Sequence, residues 1–181
     1  VTQTALDSIA RGFLELAETY NAVPYADRGK WHDKAAPAAT RQIKFMNEQI
    51  TRVDASLELC EQALANALKP PPAHAPFGPE IRAVVKRDKI PVTELIRADF
   101  ATVSAVLAAP PIVTGLSQQD YNLLREQAAA IFCPAQTANL KATKAHKNRL
   151  VRAVDAYASR IHPMLKRTDP KLVNDLLARI S

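Results

Sequence analysis

A chain of 181 residues, 48% of them hydrophobic, has enough apolar material for one sizeable core or two small ones. With only four glycines it excludes a fold built on repeated tight turns, and it holds no phosphate loop or dinucleotide fingerprint. Its 24 basic and 18 acidic side chains leave a net charge of +6, too mixed for a disordered polyelectrolyte and basic enough to ask where the excess lies.

Alanine, the best helix former, is abundant, and no run alternates β-branched and aromatic residues as a strand would. The expected fold is all-α, a helical bundle of about six or seven helices. The first helix is expected from Thr4 to Asn21. Thr4 and Asp7 have the spacing of a capping box, and Leu6, Ile9, Phe13, Leu16 and Tyr20 repeat at intervals of three and four along one face. Residues 22–36, with Pro24, Gly29 and the only tryptophan, Trp31, read as an irregular connection.

The second helix, expected from Pro37 to Leu68, carries the strongest pattern in the chain. Ile43, Met46, Ile50, Val53, Leu57, Cys60, Leu64 and Ala67 hold the three-four spacing without a break. The flanking residues Asn47, Gln49, Asp54, Ser56, Glu61 and Ala63 lack the complementary charges of a parallel zipper, and Phe45 and Leu59 widen the stripe. Bundle packing is therefore expected, first against helix one, as an antiparallel heptad hairpin over residues 1–68. Ile43, Met46, Ile50, Val53, Leu57 and Leu64 form the candidate protein-interaction seam. The spacing leaves open whether that seam closes within one chain or between chains.

Five prolines between Lys69 and Pro79 mark a stiff linker over residues 69–79. Beyond it a C-terminal helical bundle is expected over residues 80–181. Its helices are read as Glu80–Asp88, Val92–Ala108, Gln118–Cys133, Pro134–Ile161 and a last one starting at Asp169-Pro170 with Val173, Leu176, Leu177 and Ile180. Pro110-Pro111 stops the second of these, and Leu95, Ile96, Phe100, Val103 and Leu107 are its inward set. Ser117 caps the third, with Asp120 at the third helical position and Tyr121, Leu124, Ala128 and Ile131 facing inward.

Charge is distributed unevenly. Residues 1–68 hold seven basic and nine acidic side chains, residues 69–135 seven and six, and residues 136–181 ten and three. The positive excess thus belongs to the last quarter, a basic C-terminal subdomain. On a helical wheel Leu140, Leu150, Val151, Val154, Tyr157 and Ile161 form the apolar side of the Pro134–Ile161 helix. Lys141, Arg149, Arg152 and Arg160 lie broadly opposite, with Lys144 beside them, Lys147 close to the apolar side and Asp155 as the one interrupting acid. Lys141, Lys144, Arg149, Arg152 and Arg160 are the candidate contacts to an anionic partner. Such a face attracts polyanions regardless of their sequence.

No catalytic, metal-binding or cofactor-binding residues are assigned. His32, His74, His146 and His162 are scattered, without a second ligand at helical spacing. Trp31-His32-Asp33 reads as a surface loop, and Cys60 and Cys133 as buried thiols in a reducing compartment. No apolar stretch is long enough to span a membrane, and Val1–Tyr20 lacks the pattern of a signal peptide. The expectation is a non-enzymatic structural or assembly protein without a cofactor, binding protein partners or itself. It would lie in the cytoplasm of a cell or infected host, or within a viral particle such as a phage. The alternative is a sequence-independent nucleic-acid-associated protein that uses the basic C-terminal helices.

Overall fold

The computed structural model of the chain describes residues 3–24 and 27–161, and their side chains apart from those of residues 3, 4, 28–34, 36, 160 and 161. Among the described residues there is no strand. There are eight α-helices: α1 (Gln3–Asn21), α2 (Arg28–Ala67), α3 (Gly78–Asp88), α4 (Val92–Leu95), α5 (Phe100–Leu107), α6 (Pro111–Thr114), α7 (Gln118–Phe132) and α8 (Pro134–Ile161). The all-helical expectation holds. The helix expected after Asp169-Pro170 lies outside the described residues.

The chain divides into two compact units, residues 1–57 with 142–181, and residues 58–141. These boundaries differ from the expected division at 68 and 80. The proline run falls inside the second unit, where it ends in a 3-10 turn, Ala75–Phe77, and Pro79 joins the first turn of α3. Proline is suited to that place, because the first amides of a helix have no intrahelical acceptor to lose.

In the first unit, Ile9 and Leu16 of α1 and Leu150, Val154 and Tyr157 of α8 share one core with Ala35, Ala39, Ile43, Met46, Ile50 and Val53 of α2. The apolar spacing of α2 thus begins two turns before Ile43, with two buried alanines. This corrects the irregular connection expected over 22–36: α2 starts at Arg28 and carries Pro37 inside it. Trp31, His32 and Asp33 stand in that helix, their side chains outside the described set. Pro37 is exposed while Ala35 and Ala39 are buried. The ring therefore projects to solvent, and the helix forgoes one backbone hydrogen bond while its inner face keeps packing. Likewise α1 begins at Gln3, so Thr4 is inside the helix rather than at its cap.

In the second unit, Leu64 of α2 and Leu68, just past its end, meet Val85, Val92, Leu95, Val103, Val106, Leu124, Ala128, Ala129 and Cys133. Polar ties fix the short helices to one another. Arg82 Nη1 donates to the Ala105 carbonyl at 2.9 Å, and the Tyr121 hydroxyl donates to the Leu107 carbonyl at 2.7 Å. Thr137 Oγ1 donates to the Ala129 carbonyl at 2.8 Å, bridging the break between α7 and α8.

The single helix expected over Val92–Ala108 is two. The Asp99 carboxylate accepts the Thr102 amide at 2.7 Å and caps α5, which ends α4 four residues earlier. That amide holds the Asp99 carboxyl below the usual carboxylate range. After Pro110, α6 makes one turn and stops at Gly115, whose φ of 77° is a conformation that a side chain disfavours. Ser117 caps α7 as expected, its hydroxyl accepting the Asp120 amide at 3.0 Å. Leu124 and Ala128 face inward, but Ile131, expected beside them, is 51% exposed.

Candidate functional site

Five of the six seam residues are buried within the chain. Ile43, Met46, Ile50 and Val53 lie in the core of the first unit and Leu64 in that of the second, while Leu57 is half-buried. Burying each of these side chains contributes roughly 1.5–3 kcal/mol, a stabilisation realised inside the fold. These five side chains pack against other parts of the same chain. Of the widening pair, Phe45 packs against the first core, whereas Leu59 is 66% exposed.

The basic face of α8 has the opposite fate. In the first unit Lys144, Arg149 and Arg152 are exposed, on the side away from the fully buried Leu150 and Val154. In the second unit Lys141 is exposed as well. The side chain of Arg160 lies outside the described residues. Lys147, close to the apolar side by sequence, reaches Asp54 of α2 at 2.8 Å, so its charge is neutralised within the unit. Asp155 is exposed and remains the acid on this helix. Tyr157, the aromatic on this part of α8, does not join the cations: it is buried with its ring edge-on to Phe13 at 6.4 Å.

The groups that could do chemistry are dispersed. His74 is exposed, His146 is half-buried on α8, and the side chains of His32 and His162 are outside the described residues. Burial and neighbouring positive charge, Arg149 included, push the His146 imidazole down, and its Nε2 has no hydrogen-bond partner. Cys133 is buried and its thiol is pushed up by desolvation, while Cys60 is half-buried; neither forms a disulfide. Among the described residues no group of three or more His, Cys, Asp or Glu side chains could hold a metal ion. No described helix is long and apolar enough to cross a membrane.

Two surfaces went unseen in the sequence. In the first unit α1 and α8 leave a trough of about 320 Å3 lined by Leu6, Ile9, Ala10, Phe13, Leu14, Ala153, Ala156 and Tyr157. In the second unit α3, α4 and α5 frame a groove of about 470 Å3 that includes Ile81, Val84, Ile90 and Leu95 with Glu80 and Glu94. A signal for the groove was available: Val84 adjoins the buried Val85, so α3 carries an apolar residue outside its core stripe. No protein-family model matches the chain, and neither does any curated protein or solved structure.

Proposed function

We propose that this chain is a non-enzymatic helical assembly protein that contacts copies of itself or a larger complex, a virion or phage particle among them. The observation that supports this best is the trough between α1 and α8. Its lining is apolar apart from one tyrosine, and Leu14 on its wall is 55% exposed. Contiguous apolar surface of this kind, unlike scattered apolar residues, gains most when a partner's side chains fill it.

Within this reading the first unit is built on an antiparallel hairpin of α1 and α2. Gln42 Nε2 donates to the Ser8 carbonyl at 3.4 Å, and one small cleft is lined both by Gly12, Leu16 and Thr19 and by Ala38 and Gln42. The later α1 residues thus meet the earlier α2 residues. The cytoplasm of a cell or an infected host is the compartment that suits two cysteines held outside any disulfide.

A second reading rests on its own observation. Lys141, Lys144, Arg149 and Arg152 are exposed on α8. That favours a sequence-independent contact to nucleic acid through counterion release. One experiment separates the two: mass in solution by light scattering, with and without a short DNA duplex, over a salt series. The assembly reading expects a defined oligomer that ignores DNA and dissociates when Leu14→Glu is introduced. A monomer that gains mass only with DNA, and loses it in salt or after Lys144→Gln, Arg149→Gln and Arg152→Gln together, replaces it with the second reading.

A further inference from the structure

The groove of the second unit has a chemistry of its own. Ile81 and Val84 of α3 line it together with Ile90, Leu95 and Ala98, and Val84 is 40% exposed. Glu80 and Glu94 stand on its rim, both exposed, and neither is paired with a cation among the described residues. An apolar floor between two carboxylates selects a segment that inserts apolar side chains and carries lysine or arginine at its edges. Nucleic acid is the wrong occupant, because the carboxylates repel phosphate.

We propose that this groove docks residues 163–181 of a second copy of the chain. The inference rests on the assembly reading and names its contact. By sequence that stretch holds Val173, Leu176, Leu177 and Ile180 at spacings of three, one and three, which suit one helical face. Lys166, Arg167, Lys171 and Arg179 outnumber Asp169 and Asp175 around them, so its net positive charge meets the negative rim. The basic helix α8 cannot serve instead, since Leu150 and Val154, its apolar anchors, are buried in its own core. Groove and segment are different surfaces, so the contact is heterologous. Exchanged reciprocally between two copies, such a contact closes a two-fold dimer; passed on from copy to copy, it builds a ring or a filament.

The test has two arms on the full chain. A fluorescently labelled synthetic peptide of residues 163–181 is titrated with it by anisotropy, and self-association is followed by light scattering. The peptide should bind, more weakly in salt, and roughly tenfold more weakly to the Glu80→Gln, Glu94→Gln double variant, about 1.4 kcal/mol. Val84→Glu should abolish binding while the helical circular dichroism is retained, and the same variants should reduce self-association. Peptide binding unchanged by these substitutions, or absent, overturns the proposal; if self-association then persists, the assembly reading survives it. A chain that is monomeric and binds the peptide only after its own residues 163–181 are removed overturns the second copy in favour of docking within one chain.

Discussion

Tyr157 carries an unusual burden for a core residue. Its ring is 97% removed from solvent and packs edge-on against Phe13, yet its hydroxyl has no hydrogen-bond partner. Burial alone holds that hydroxyl in its neutral form, pushing its pKa up. An unpartnered buried hydroxyl costs about 1–3 kcal/mol, whereas the ring it hangs from contributes packing. Removing only the oxygen should therefore stabilise the fold. Tyr157→Phe is expected to raise the urea midpoint, by about 1 kcal/mol in free energy, with the slope unchanged. A lower midpoint would mean that the hydroxyl makes a bond that matters. Asn47 Oδ1 and His146 Nε2 are buried without partners in the same unit, so this core is held by shape more than by polar pairing.

α2 spans 40 residues with a proline ten positions in. The sequence marked Pro37 as a start because an interior proline loses one backbone bond and crowds the preceding turn, at about 3 kcal/mol. What local pattern could not reveal is that Ala35 and Ala39 reach the core on either side of it. Tertiary burial outweighs the local penalty there. Pro37→Ala should thus restore the missing bond and stabilise the chain by about 1–2 kcal/mol, once the lost rigidity of the unfolded state is subtracted. The readout is again the urea midpoint, and a decrease would show that proline's bend is needed to seat those alanines. Asp99 is the reverse case, where a local bond wins over an apparently continuous apolar pattern from Val92 to Leu107. Helix type was legible because the three-four spacing of Ile43 to Val53 and the break at Pro134 are local properties. The exposed cations of α8 were legible for the same reason, since Arg149 and Arg152 lie opposite Leu150 and Val154. The destination of the seam was not legible: spacing shows that a face must be covered but does not encode by what. The groove needed α3 and α4 brought together, which no single window of sequence contains.

The two units differ in how the chain is threaded through them, and that difference decides which can stand alone. Residues 58–141 form one continuous stretch, and its core, from Leu64 to Cys133 with Leu140 against it, lies inside that stretch. The first unit is discontinuous: α1 and the first part of α2 share their core with Leu150, Val154 and Tyr157, nearly a hundred residues further on. Those three side chains bury apolar surface worth roughly 1.5–3 kcal/mol each, comparable with the whole 5–15 kcal/mol margin of a small domain. A fragment of residues 58–141 should therefore fold by itself, with dispersed amide resonances and a cooperative loss of helical circular dichroism in urea. A fragment of residues 1–57 should show weak, non-cooperative helicity at the same concentration, because isolated helices are marginal without a face to bury. Mixing it with a peptide of residues 142–161 should restore part of the cooperative signal. If residues 1–57 melt cooperatively without α8, the shared core is not what holds the first unit. In that case the apolar face that α1 and α2 turn toward α8, Ile9, Leu16, Met46 and Ile50 included, would be covered instead by a second copy of the hairpin.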